Sequence, residues 1–445
     1  MSSTPIYDFV KQISDSTISR FFMPGHKGRH PFDPFFQDVS RYDITEIEGA
    51  DVLAQAEGII GESEELAATL FGSRATLYST QGSTLGIQAM VSLISGRGDT
   101  VIAGRNAHMA FYNACLLLRI NVRWVLPSHT DPYGICGAVT PDQVERALCD
   151  CPKAAAVYLT SPDYLGNTAD INAIAGVCKK HGVPLCCDNA HGAYLTLGET
   201  HPIKQGAAVC CDSAHKTLPV LTGGAYLHLG ENCPWTKQDA KERMALFSSS
   251  SPSYLILASL DLANRYLAEE APRGYERLRG EMMEMRRLMK QKGIACLDNQ
   301  ADYAKLTIDA GRTGWDGLEL AAKLRQSGIE PEYANPYYVV LMATPFLTQR
   351  DWNRLSEALK KITPGRPITW EDTPYCLPEA VMPAFQAARL PWESVPADLA
   401  VGRVSAQTVA ACPPGVPVVT AGERIHEQIK NICKKSGNFT LKVLK

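Results

Sequence analysis

No stretch of this chain approaches the roughly 18 consecutive apolar residues of a membrane span, and residues 1–11 are polar, without the apolar core of a secretory leader. Excess charge of either sign is missing as well: 44 Lys and Arg against 47 Asp and Glu leave a net charge of -3. Without a basic field the chain has no electrostatic footprint for nucleic acid, and Lys434, Lys435, Lys442 and Lys445 read as a solvated tail. CxxC pairs are absent among the 14 cysteines, so no structural zinc site is expected. Cys186-Cys187 and Cys210-Cys211 lie inside apolar runs, where cysteine is a small buried hydrophobe rather than half of a disulfide. The expected compartment is reducing and cytoplasmic. Neither a membrane, nor nucleic acid, nor a metal is expected as a partner.

What is present is a chain of 445 residues, 45% hydrophobic and 20% charged, long enough to bury a large core. Repeats and low-complexity tracts do not occur. From about 60 to 230, short apolar or β-branched runs alternate with helical stretches. Strands are expected at 75–79, 100–103, 123–126, 155–159, 184–187, 207–211 and 225–229, with helices at 84–94 and 110–118. Such alternation predicts an α/β domain whose mostly parallel sheet presents ligands beyond its strand carboxyl ends. Residues 253–292 read as helical, with Met282, Met283, Met285 and Met289 as packing surface. A second, smaller α+β domain is expected to follow, with strands at 304–308 and 338–342 and helices at 317–326 and 350–360. The expected division is 1–280 and 281–445. Cys412-Pro413-Pro414-Gly415-Val416-Pro417 reads as an extended turn segment.

Three segments at strand ends carry chemistry. Gln81-Gly82-Ser83-Thr84 places small residues and hydroxyls at a helix start, where N–H groups and the helix dipole favour an anion such as phosphate. In Leu185-Cys186-Cys187-Asp188-Asn189-Ala190-His191-Gly192, a carboxylate ends an apolar strand and needs a partner to stay charged: a pyridinium nitrogen, a metal or an arginine. In Cys210-Cys211-Asp212-Ser213-Ala214-His215-Lys216-Thr217, a lysine stands between an apolar strand and a Gly-Gly loop, where lost solvation favours a nucleophilic amine. A phosphate cup, an aspartate and a lysine, in that order on one sheet, are the three anchors that pyridoxal phosphate (PLP) requires.

The chain resembles the Orn/Lys/Arg decarboxylases, PLP enzymes of the aspartate-aminotransferase fold (fold type I). The resemblance rests on Phe22-Met23-Pro24-Gly25-His26-Lys27-Gly28, Asp43-Ile44-Thr45-Glu46, Gln81-Gly82-Ser83-Thr84 and Arg105-Asn106-Ala107-His108. It continues through Ser161-Pro162-Asp163-Tyr164, Asp188 to Gly192, Ser213-Ala214-His215-Lys216 and Ser251-Pro252-Ser253-Tyr254, in the family's order. Pro413-Pro414-Gly415-Val416-Pro417 with Gly422-Glu423 is similar to its C-terminal part. The resemblance implies a fold type I large domain with a mostly parallel seven-stranded sheet, plus a smaller α+β C-terminal domain. The long N-terminal wing of the large inducible members is not found, as in a short form.

The same resemblance implies roles. Lys216 matches the Schiff-base lysine, Asp188 the partner of the pyridine nitrogen, and His108 the imidazole stacked on the ring. Ser83, Thr84 and Ser213 match phosphate ligands, and His191 a position near the ring. His215 matches the histidine that contacts the substrate carboxylate or assists protonation. Ser249 matches the residue that reaches a phosphate across a dimer interface, which implies a homodimer with shared active sites. The implied reaction is decarboxylation of lysine, arginine or ornithine to a polyamine or agmatine. Asp43, Glu46, Asp51, Glu393 and Glu423 are candidate receivers for the basic side chain. The same scaffold also serves aminotransferases and lyases, with Arg403 a candidate carboxylate clamp, and a catalytically silent PLP-binding protein is a further alternative. Two departures stand near the site: Met109-Ala110 follows His108 where the family has Lys-Ser, and Asn189 replaces its usual acid.

Overall fold

A computed structural model describes residues 3–29, 33–127, 137–298, 301–368, 375–410, 415–435 and 437–445. The apolar runs fold as strands β1 (Ala75–Ser79), β2 (Thr100–Gly104), β3 (Asn121–Val125), β4 (Ala156–Thr160), β5 (Leu185–Asp188), β6 (Val209–Asp212) and β7 (Ala225–Leu229). They form one sheet in the order β1-β7-β6-β5-β4-β2-β3. β5 and β6 are parallel, while β7 runs antiparallel to both of its neighbours. By contacts the chain divides into two compact units. One contains residues 1–102, 141–159 and 170–272, and the other 103–140, 160–169 and 273–445. Among the described residues, no helix is long and apolar enough to cross a membrane.

In the first unit, β5, β6 and β7 are buried along their whole lengths, as runs covered on both faces should be. Cys186, Cys187, Cys210 and Cys211 are free thiols with no exposed surface, as expected of small hydrophobes. Helix Gly82–Ser95 buries Leu85, Ile87, Met90, Val91, Leu93 and Ile94. It approaches β6 so closely that a Cβ on Gly86 would stand 2.4 Å from Cys211 Sγ. The N-terminal helix Pro5–Asp15 is held by Asp261, whose Oδ2 accepts from the N–H groups of Ile6 and Tyr7, both at 3.0 Å. Two orphan donors of the first turn are thereby satisfied.

The second unit has an antiparallel sheet of β8 (Lys305–Asp309), β9 (Tyr333–Ala334) and β10 (Tyr338–Met342), ordered β8-β10-β9. Two small ribbons pair β11 (Trp392–Pro396) with β14 (Thr440–Leu444) and β12 (Val409–Ala410) with β13 (Pro417–Val419). Its core includes Leu165, Val340, Tyr375, Val418, Ile429 and Leu441. Met282, Met285 and Met289 are buried on helix Ala271–Lys292, whereas Met283 is 63% exposed because it faces away from that stripe. In the proline-rich segment read as a turn, residues 412–414 lie outside the described residues, and Pro417 opens β13.

Candidate active site

Three strand ends of the first unit converge chemically. Gly82, at φ +72°, turns the chain from β1 into the helix, a backbone conformation that favours glycine. Its N–H donates to Gly223 O at 2.7 Å, tying this turn to the loop before β7. Ser83 follows in the first helical turn, and Ser213 Oγ, just past β6, donates to Ser83 Oγ at 2.7 Å. Thr84 stands beside them on the same turn and is exposed. Two hydroxyls and free first-turn N–H groups at the positive end of a 14-residue helix suit a phosphate.

Asp188 ends β5 with 1% of its surface exposed. Tyr158 Oη donates to its Oδ2 at 3.3 Å, and the Ala190 N–H donates to Oδ1 at 3.1 Å. Tyr158 was not singled out from the sequence; it lies inside β4, and only the pairing order of the sheet brings it beside β5. Lys216 lies in the one-turn helix Ala214–Thr217, and its Nζ is 3.1 Å from Nε2 of the buried His191. His215 directs Nδ1 to Gly224 O at 3.1 Å. Burial first, then the charge of Lys216, lowers the pKa of His215 below the ordinary histidine value. A neutral ring donating through Nδ1 leaves the Nε2 lone pair free to take a proton.

Between these groups lies a network that sequence reasoning missed. Asp212 ends β6 with no exposed surface. Its Oδ2 is 2.9 Å from His201 Nε2 and 3.3 Å from His228 Nε2, and its Oδ1 accepts from Asn189 Nδ2 at 2.8 Å. Burial opposes the charge on Asp212, but the two histidines outweigh it and hold the carboxyl below the usual aspartate range. His201, Cys210 and Asp212 have ligand atoms within 4.8 Å of one another, a spacing that would also suit a metal. The Ile203 N–H, however, donates to His201 Nδ1 at 3.3 Å, placing the ring proton on Nε2, the atom that faces Asp212. Hydrogen bonds therefore account for the cluster. The available signal was the repeated Cys-Cys-Asp at 186–188 and 210–212: each ends a buried strand in a carboxylate that needs partners.

Ser249 is exposed and lines a cavity of about 320 Å³ with Glu46, Leu53, Tyr78 and Lys241. The candidate receivers in this unit have local partners. Asp43 pairs with His26 at 3.2 Å, Glu46 accepts from Thr45 Oγ1, and Asp51 accepts from the N–H groups of Val52, Gly58 and Ile60.

His108 belongs to the second unit. It caps helix Met109–Leu118, Nδ1 accepting from the Ala110 N–H at 3.1 Å. The Met109 N–H donates to Gly415 O at 2.7 Å, and a Cβ on Gly415 would stand 2.5 Å from His108 Nε2. Arg105, buried below Tyr112, Trp124 and Tyr375, pairs with Glu423 at 3.0 Å. Glu423 is thus committed to an arginine rather than open to a substrate cation. Arg403 is committed too, to Glu393 at 2.8 Å and to Leu444 O, which removes the support for a carboxylate clamp there.

Two family models match the chain: Orn/Lys/Arg decarboxylase, major domain, over residues 4–307, and Orn/Lys/Arg decarboxylase, C-terminal domain, over residues 373–435. The chain belongs to the Orn/Lys/Arg decarboxylase family. Within it, an arginine decarboxylase of Bacillus subtilis is 30% identical over 450 residues, spanning 96% of this chain and 92% of its own. The uncharacterized protein YaaO of the same organism is 31% identical with the same coverage. The crystal structure of the Francisella novicida lysine decarboxylase LdcF superposes with a TM-score of 0.82 at 19% identity, covering 99% of this chain and 81% of that one. At that identity the likeness shows the fold, and it agrees with the α/β large domain and smaller C-terminal part expected from the family's motifs.

Proposed function

We propose that this chain is a PLP-dependent decarboxylase of a basic amino acid, acting as a cytoplasmic homodimer. The observation that carries the reading is the arrangement at the ends of β5 and β6. A lysine amine beside an imidazole, a buried carboxylate and a hydroxyl pair at a helix N-terminus form one donor set within one unit. That set fits PLP chemically, because it offers an amine for the aldehyde, an anion for the pyridine nitrogen and donors for the phosphate. Family membership and the relatives named as arginine decarboxylases support the reaction class.

In this reading Ser83, Thr84 and Ser213, with the first-turn N–H groups, hold the phosphate, and Lys216 holds the cofactor covalently. Asp188, kept in place by Tyr158 and the Ala190 N–H, retains the proton on the pyridine nitrogen. When bound, PLP supplies the sink for the electron pair released as CO2 departs. Lys216 Nζ, adjacent to His191 at 3.1 Å, would be the proton donor for the substrate Cα. His215, neutral and donating through Nδ1, would first take up a proton at Nε2, and in that state bind the substrate carboxylate or pass that proton to Lys216. From the resemblance alone, His108 would pack against the cofactor and Ser249 would reach its phosphate across a dimer interface. The product is a diamine or agmatine. Of the three candidate substrates, arginine is the first to test.

The test is CO2 release by the purified protein with added PLP, offered L-arginine, L-lysine and L-ornithine in turn. The expected result is stoichiometric CO2 and the matching amine from one of them. Amine transfer to a keto acid, or no turnover with all three, would contradict the assignment.

A further inference from the structure

Resting on the reading above, we propose that Asn189 and Asp212 are a matched pair of positioning residues. Together they join the strand end that carries Asp188 to the strand end that carries Ser213 and Lys216. Asn189 directly follows Asp188, and Asp212 directly precedes Ser213, so their side-chain bond spans the gap between the two anchors. The backbone repeats the link, the Asn189 N–H donating to Cys211 O at 2.9 Å.

The pairing is chemical as well as geometric. Asp212 has no exposed surface, and an unpaired buried carboxylate would be strongly unfavourable. His201 and His228 deliver N–H groups to Oδ2, while Oδ1 has the weak thiol donor Cys210 Sγ at 3.5 Å and needs a stronger one. Asparagine supplies one; an aspartate or glutamate at 189 would instead set two carboxylates about a hydrogen bond apart, and one would have to take a proton. In this chain the amide at position 189 is therefore matched to the carboxylate of Asp212. Room for the amide comes from Gly192, where a Cβ would stand 2.0 Å from Asn189 Oδ1. The far side of the network is braced as well: His228 Nδ1 lies 2.8 Å from Thr76 Oγ1 on β1.

A charge swap isolates the pair. Asn189→Asp places like charges together, and Asp212→Asn sets amide against amide. The double variant Asn189→Asp/Asp212→Asn restores the bond between the two positions and those to the histidines, with the amide at 212 accepting from both histidines and donating to the carboxylate at 189. The measurements are PLP affinity by titration of the apoprotein, the apoprotein's thermal midpoint, and kcat and KM for the amino acid that wild type decarboxylates. Asn189→Asp should weaken PLP binding by roughly tenfold or more at neutral pH, within the range of couplings between touching buried groups. Its affinity should recover as pH falls and one carboxyl takes a proton. The double variant should return to within about threefold of wild type, with the wild-type pH profile. A double variant no better than the worse single one, or an Asn189→Asp protein equal to wild type in affinity and midpoint, would overturn the pairing while leaving the decarboxylase reading intact. Wild type that takes up no PLP would overturn both.

Discussion

Asp261 shows what a single buried carboxyl contributes. Burial is the largest influence on it and raises its pKa to about 6, although Ser63 Oγ and the N–H groups of Ile6 and Tyr7 all donate to it. The folded protein therefore binds this proton more tightly than the unfolded chain does. Its stabilising contribution is full below the ordinary value of 3.8 and is lost as pH rises through about 6. Asp261→Asn removes the titration while leaving acceptors for the helix N–H groups. The variant's stability relative to wild type should rise by up to about 3 kcal/mol between acid and neutral pH. Denaturant titrations of both proteins across that window would measure it, and an unchanged difference would contradict the account. Residues of this kind are the least legible in a sequence. Asp188, Lys216 and Ser213 stood out because strand ends and family motifs marked them. Asp212 carries the same Cys-Cys-Asp mark, yet its partners His201 and His228 come from separate segments that only folding brings together. Glu423 and Arg403 looked available for substrate because nothing local in the sequence reveals the ion pairs they make.

The helix Gly82–Ser95 illustrates how one element places the site. Its N-terminus carries Ser83, and its second turn seats against β6 through Gly86, so the spacing of Ser83 and Ser213 depends on a missing side chain. Gly86→Ala gains up to about 1 kcal/mol of helix propensity but overpacks against Cys211, at a cost of about 1–3 kcal/mol. At 2.4 Å the clash should prevail. Trimming the neighbour tests this: Gly86→Ala should destabilise far less in a Cys211→Ala background than in wild type, read from urea midpoints. Equal effects in both backgrounds would show that the contact does not set the packing. At this scale the sequence was informative. The apolar runs at 75–79, 225–229 and 338–342 coincide with β1, β7 and β10, and 317–326 coincides with its helix. The predicted start at Thr84 falls two residues late because Gly82 begins the helix from a positive φ, where propensity predicts a turn. The two-residue strands β9 and β12, and the exposed β11, are too short or too polar to leave a periodic signal.

For the whole molecule, composition named no reaction: a net charge of -3 offers no global basic field and points to no chemistry. Strand order was beyond local pattern, since β7 inserts between β1 and β6 and no neighbouring residue foretells it. Residues 103–140 likewise group by contacts with the C-terminal residues. Arg105 meeting Glu423, and the Met109 N–H meeting Gly415 O, are pairings more than 300 residues apart. What made the proposed function legible was the order of candidate anchors along one sheet: hydroxyls at a helix start, an aspartate, then a lysine. The most direct measurement is therefore borohydride reduction of the PLP-loaded protein, followed by digestion and mass spectrometry. The account predicts a single reduced pyridoxyl adduct on the peptide containing Lys216, absent from Lys216→Ala. An adduct on another lysine, or none at all, would contradict it.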